Sequence, residues 1–131
     1  MNLLFICTGN TCRSPMAEGI AKTILGQTAT SCGLAAMEGA PAADHAIAVA
    51  KEHGIDLTAH RATPLTESAL NEADRIYVMS QSHADALTRF RPELADKIRV
   101  MGISDPFGGS LDTYRQCFNE ILAYLEDEPW N

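Results

Sequence analysis

Basic residues are scarce in this chain: 10 Lys and Arg stand against 17 Asp and Glu over 131 residues, a formal net charge of −7. A surface of that sign repels phosphate backbones and anionic lipid, which excludes nucleic acid and membrane surfaces as main partners. It leaves room for one local anion site, if backbone dipoles and a buried Arg supply the positive field. Long apolar runs are also missing. Leu3-Leu4-Phe5-Ile6 is too short for a signal-peptide core and has no basic residues before it, and no stretch approaches the ~20 residues of a membrane span. A cytoplasmic protein is expected. Metal-ligand spacings are lacking as well: there is no CxxC and no HExxH, so neither a metal nor another cofactor is implied. The four histidines (His45, His53, His60, His83) are scattered and expected at the surface or at caps. The four cysteines (Cys7, Cys12, Cys32, Cys117) fit a chemical role better than a disulfide framework in a reducing compartment.

What is present is ordinary globular composition, 46% hydrophobic and 21% charged, enough for one domain spanning residues 1–131 and expected to be monomeric. No repeat, low-complexity segment or linker interrupts it. Leu3–Ile6 predicts a buried parallel strand. Ser14-Pro15 predicts a helix start, with Ser14 as N-cap and Pro15 as first helical residue, followed by Met16, Ile20, Ile24 and Leu25 at helical spacing. Thr28–Cys32 is a weak strand and Gly33–Pro41 a small-residue loop. Ala42–His53 predicts a helix stopped by Gly54, Arg75–Met79 a strand, Gln81–Phe90 a helix and Lys97–Met101 a strand. Gly102–Ser110 is a loop and Leu111–Glu126 an amphipathic helix, after which Glu126–Trp130 is expected to fray. Strands alternating with helices predict an α/β fold, a doubly wound parallel sheet of about four strands with helices on both faces. Ligands of such sheets lie beyond the strand carboxyl ends. Two segments fall there, Cys7–Ser14 after the first strand and Ser104–Phe107 after the last.

Cys7-Thr8-Gly9-Asn10-Thr11-Cys12-Arg13-Ser14 joins the first strand to a helix N-terminus. A loop of this length can wrap a tetrahedral oxyanion with its backbone N–H groups pointing inward, and the helix adds its positive dipole end. Gly9 and Asn10 tolerate the positive φ that such a wrap needs. Arg13 can close the cradle with a bidentate hold. The dipole and Arg13 favour Cys7 as thiolate, the reactive form, and Ser14 can donate a hydrogen bond to that sulfur. A nucleotide-binding phosphate loop is excluded because GxxxxGK[ST] is absent.

Cys7–Ser14 resembles the signature loop of the low-molecular-weight protein tyrosine phosphatase family, and Pro15-Met16-Ala17-Glu18 continues the likeness. Asp105-Pro106 resembles its general-acid motif, and Ser31, His60 and Met79-Ser80 are further matches, so the resemblance covers essentially the whole chain. It implies phosphorylated protein substrates and a two-step phosphoryl transfer without a metal. Cys7 would be the nucleophile, Arg13 and the loop amides of Thr8, Gly9, Asn10, Thr11 and Cys12 would hold the phosphoryl oxygens, and Asp105 would act as acid and then base. Asn10 and Ser14 would shape the loop through a network reaching Ser31 and His60.

Two positions depart from the tyrosine-specific pattern. Thr11 stands where a larger aliphatic residue is usual, and Phe107-Gly108-Gly109 replaces the usual aromatic pair. Both resemble the protein-arginine-phosphatase branch of the family. Thr11 relieves crowding at phosphorus, and Phe107 offers a stacking wall for a guanidinium. Cys12 has two readings, a reversible disulfide with Cys7 or simple packing beneath the loop. A thiol-coupled arsenate reductase shares the fold and loop, but its further cysteines on a mid-chain segment are missing, since 33–116 contains none. A non-catalytic phosphate-binding module would need neither Cys7 nor Asp105.

Overall fold

A computed structural model of the chain describes residues 1–130. Its elements in chain order are β1 (Asn2–Cys7), α1 (Arg13–Gly19), β2 (Thr28–Gly33), α2 (Asp44–Glu52), α3 (Glu67–Glu72), β3 (Arg75–Val78), α4 (Gln81–Phe90), β4 (Ile98–Val100) and α5 (Leu111–Glu126). A π-helical turn at Ile20–Ile24 extends α1, and a 3-10 segment at Pro92–Lys97 leads into β4.

The four strands form one parallel sheet in the order β2-β1-β3-β4. The expected doubly wound α/β architecture is therefore present. Alternation along β1 divides the core between the two faces, as the two-residue period of a strand requires. Leu3, Phe5 and Cys7 join Tyr77 and Met79 on one face, covered by Met16 and Ile20 after β1, Val49 of α2, and Phe118, Ile121 and Leu125 of α5. Leu4 and Ile6 join Cys32, Ile76 and Val78 on the other, covered by Leu70 of α3, Ala84 and Leu87 of α4, and Leu94. Phe5 and Tyr77 stack with ring centroids 5.3 Å apart. Truncating such a fully buried ring costs about 3–5 kcal/mol.

β1 is a central strand, and the chain leaves it first toward β2 and later toward β3. The crevice where these connections diverge opens at the carboxyl end of β1, at Cys7.

The elements and the chain end differ from the sequence expectations in four places. Helix α1 begins at Arg13, and Ser14 does not cap it: Cys12 holds the cap position without a side-chain bond. The hydroxyl of Ser14 is turned instead to Cys7 and Asn10. Helix α3, capped by Thr66, which accepts from the Ala69 N–H, escaped the sequence reading because a six-residue element carries less than two turns of periodicity. Ile24 is 40% exposed, since the wider π turn rotates it off the core. The C-terminal segment is docked rather than frayed. Glu128 accepts a 2.8 Å bond from the Tyr77 hydroxyl and pairs with Arg75 and Arg99, and the Trp130 indole N–H donates to the Leu125 carbonyl with the Arg75 guanidinium 5.4 Å from its ring centre.

Candidate active site

The loop from Cys7 to Ser14 is built around one residue in the left-handed region. Asn10 has φ 55°, the only positive φ outside glycine among the described residues. Such a conformation costs about 1–2 kcal/mol for most side chains and less for Asn. Here its amide is fully engaged. Nδ2 donates to Ser14 Oγ at 2.8 Å and to Ser31 Oγ at 2.9 Å, while Oδ1 accepts from the Thr63 N–H at 2.9 Å. The Asn10 carbonyl accepts from His60 Nε2 at 2.7 Å, which fixes the proton of that ring on Nε2. Ser31 donates its hydroxyl hydrogen bond to Glu18 Oε1 at 2.5 Å, and Glu18 is in turn paired with Lys22.

Cys7 sits at the strand end and is buried. Its sulfur receives the Asn10 N–H at 3.3 Å and lies 2.9 Å from Ser14 Oγ. The Asn10 backbone N–H points at the sulfur, and the Ser14 hydroxyl is placed to donate to it when it carries negative charge. The end of β2 presses against the same loop. A Cβ at Gly33 would fall 2.6 Å from the Thr8 carbonyl oxygen and 3.0 Å from the Asn10 nitrogen. Only glycine permits that approach.

Arg13 is 6% exposed and projects from the first turn of α1 under the loop. One amino group donates to the Ile103 carbonyl at 2.9 Å, and the other lies 3.7 Å from Asp105 Oδ2. Asp105 Oδ1 accepts the Phe107 N–H at 3.0 Å, so the half-exposed carboxylate is aimed by its own loop. That loop fits tightly on α5: a Cβ at Gly109 would meet Thr113 Cγ2 at 2.8 Å and the Pro106 carbonyl oxygen at 2.9 Å. Cys7, Thr8, Gly9, Thr11, Cys12, Arg13, Asp105 and Phe107 together line a cleft of about 250 Å³. A larger hollow of about 560 Å³ lies elsewhere, along the β2 edge, with Ser31, Cys32 and His60 in its wall and neither Cys7 nor Arg13 lining it.

Every residue singled out from the sequence is thus at or directly behind one cleft. Ser31 and His60 support the loop from behind through Asn10. All four cysteines are free in this structure, and the Cys12 sulfur packs beneath the loop 3.3 Å from the Tyr114 hydroxyl. Burial pushes the Cys12 thiol up, against the lowering effect of the Tyr114 bond. His83 corrects the sequence reading. It is buried rather than superficial, and its Nε2 lies 2.9 Å from Thr8 Oγ1. Its position just after β3, at the strand-end level where the site forms, was the available signal. Glu18, Thr63 and Tyr114 also reach the site through partners that no local pattern reveals.

A thiol in contact with a backbone N–H and a serine hydroxyl, a buried guanidinium and a nearby carboxylate are the parts needed to accept and release a phosphoryl group. Residues 2–127 match the low molecular weight phosphotyrosine protein phosphatase family. The chain belongs to this family. Among relatives of this phosphatase family, the protein-arginine-phosphatase of Geobacillus stearothermophilus is 38% identical, over 95% of this chain and 90% of that one. The low molecular weight protein-tyrosine-phosphatase PtpB of Staphylococcus haemolyticus is 39% identical, over 95% of each. A solved structure of YwlE arginine phosphatase, a Cys-to-Ser mutant with a phosphorylated active site serine, superposes with a TM-score of 0.90 at 33% identity, over 95% of this chain and 91% of that one. The low molecular weight phosphatase fold is therefore this chain's fold, and its enzyme class is that of a protein phosphatase. No helix among the described residues is long and apolar enough to cross a membrane.

Proposed function

We propose that this phosphatase hydrolyses phosphoarginine in proteins through a cysteinyl-phosphate intermediate. The observation that carries the arginine assignment is the presence of both Thr11 and Phe107 in the lining of the cleft that holds Cys7, Arg13 and Asp105. Thr11 is short enough to leave the planar, polar phosphoguanidinium uncrowded, and its hydroxyl offers a hydrogen bond. Phe107, 79% exposed on its loop, is free to stack on a guanidinium. The arginine phosphatase relative supports the same reading. The tyrosine phosphatase relative of equal similarity makes phosphotyrosine the second reading.

In the first step the Cys7 sulfur attacks phosphorus in line and the bond to the leaving nitrogen breaks. Arg13 and the inward amides hold the equatorial oxygens as charge spreads over them. Asp105 gives its proton to the departing guanidine. In the second step Asp105 takes a proton from water, whose oxygen displaces the Cys7 thiolate and releases inorganic phosphate. Ser14 stabilises that thiolate as it leaves. The phosphorylated active site serine in the YwlE mutant supports the covalent route.

The test is phosphate release from matched phosphoarginine and phosphotyrosine peptides, with Cys7→Ser as blank and Thr11→Ile alongside. Preference for phosphoarginine that is lost in Thr11→Ile is expected. Preference for phosphotyrosine in the parent protein overturns the arginine assignment and leaves the family chemistry intact.

A further inference from the structure

Four polar or charged side chains are buried among the described residues: Asn10, Arg13, Ser14 and His83. The first three belong to the phosphate loop. The fourth is hydrogen-bonded to it, yet the mechanism above gives it no part. His83 lies in the first turn of α4, 6% exposed, with Nε2 at 2.9 Å from Thr8 Oγ1 and Nδ1 at 3.1 Å from Ser80 Oγ.

The chemistry of those two partners differs from that of the other loop histidine. His60 faces a carbonyl, which can only accept, so its bonded nitrogen must keep a hydrogen. Both partners of His83 are hydroxyls, and a hydroxyl can donate or accept by rotating its hydrogen. The His83 ring can therefore take up a second proton without losing either bond. When a neutral ring carrying its hydrogen on Nδ1 does so, both ring nitrogens donate, Thr8 Oγ1 turns from donor to acceptor, and the Thr8 hydrogen is released from the ring to point elsewhere. Thr8 lines the cleft.

Two charged groups act on His83, Arg13 from α1 and Asp105 from the loop before α5. Burial and the Arg13 charge, in that order, hold its pKa below the ordinary histidine value, against a smaller raising effect from Asp105. In the empty site a second buried cation is thus disfavoured. A dianion seated in the loop changes that balance, because it compensates Arg13 and attracts any further positive charge beneath it.

We propose that His83 is a positioning residue that couples oxyanion binding to proton uptake: a dianion in the phosphate loop draws a proton from solvent onto His83, and Thr8 turns its hydroxyl hydrogen toward the anion. One N–H bond forms on the ring and no other covalent bond changes. The consequence is affinity for divalent oxyanions that rises as pH falls, on the order of tenfold across the titration of the ring. The proposal rests on the loop being an oxyanion cradle and is independent of which phosphoamino acid is hydrolysed.

Sulfate is the suitable probe because it remains divalent throughout this range, and Cys7→Ser protein removes the nucleophilic thiol. Calorimetric titration with sulfate between about pH 5 and 7.5, repeated in buffers of different ionisation enthalpy, counts the protons taken up. Uptake that vanishes in the Cys7→Ser/His83→Asn protein, together with a flattened pH dependence, is expected. Uptake that persists unchanged in that variant overturns the proposal, since it assigns the proton to His60 or Asp105. Should His83→Asn fail to fold, the ring signals of His83 in Cys7→Ser protein, followed by NMR through a pH titration, give the same answer. Their midpoint must move upward when sulfate is present, and an unmoved midpoint overturns the proposal. Sulfate that does not bind at all defeats the oxyanion cradle itself, a different failure.

Discussion

Asn10 and Ser14 are joined by a 2.8 Å bond in which the amide donates, and this single direction orders the bonds that follow. Ser14 Oγ, having accepted, has its own hydrogen for the Cys7 sulfur 2.9 Å away, the direction this bond must take when that sulfur is a thiolate. On its second N–H, Asn10 does the same to Ser31, which then donates to Glu18. The carboxylate of Glu18 and the sulfur of Cys7 are thus the two acceptors at the ends of one chain of donors. An acceptor-only side chain at position 10 would reverse it.

Ser14→Ala removes the hydrogen bond to sulfur and leaves the Asn10 amide a donor short of a partner. Bonds to charged acceptors contribute about 1.5–3 kcal/mol, which converts to a loss of about 10- to 100-fold in kcat. The second step, in which the thiolate departs, should suffer most. Rapid-mixing kinetics with an activated aryl phosphate should show a burst of leaving group before a slow steady rate. A kcat within twofold of the parent would remove Ser14 from that role.

Asn10→Gly and Asn10→Ala separate backbone from side chain. Glycine keeps the left-handed φ and loses only the amide bonds, whereas alanine loses both. Alanine should be less stable than glycine by about 1 kcal/mol in urea denaturation, and both should be nearly inactive. Equal stabilities would mean that the loop relaxes away from its positive φ.

Asp105→Asn should depend on the leaving group. An activated aryl oxide departs with little help, while a guanidine, whose conjugate acid has a pKa above about 12, needs its proton delivered. The loss in kcat is expected to be at least tenfold larger on phosphoarginine than on the aryl ester. An equal or smaller loss on phosphoarginine would reassign the acid.

Gly109→Ala should imitate that variant from a distance. Its new methyl would meet Thr113 and the Pro106 carbonyl at under 3 Å, so the loop carrying Asp105 must shift. Activity on poor leaving groups should fall while activity on the aryl ester is largely kept, and adding Asp105→Asn should cost little more. Comparable loss on both substrates would mean general unfolding of the loop instead.

Alkaline pH should destabilise the fold through its buried thiols. Burial, followed by the Cys7 charge, pushes Cys32 up to about 12 from an ordinary value of 9.0. The unfolded chain therefore releases this proton first, so stability is whole below about pH 9 and declines as pH rises toward 12. Denaturation midpoints measured at increasing pH should fall less steeply in Cys32→Val than in the parent.

The two central strands were legible in the sequence because Leu3–Ile6 and Ile76–Met79 are apolar runs, and burial on both faces leaves that mark. The loop was legible for a different reason: Cys7, Arg13 and Ser14 are close in sequence, so their chemistry shows as spacing. The Ser14 cap was misjudged because a serine ahead of a helix serves either the backbone or a neighbouring side chain, and the choice is made by Asn10 and Cys7 in three dimensions. His83 and Tyr114 were hidden for the same reason. They meet Thr8 and Cys12 across 75 and 102 residues of chain, a separation that leaves no local pattern.

The groups that would grip phosphate are contiguous, but the shape they need is imposed from outside: Ser31, His60, Thr63 and His83 each hold the loop by one bond, and Gly33 yields it space. The octapeptide is therefore not portable. Grafted onto another strand–helix junction it would carry the reactive atoms and lose their arrangement. A designer moving this chemistry to a new scaffold must transplant five scattered anchoring positions along with it.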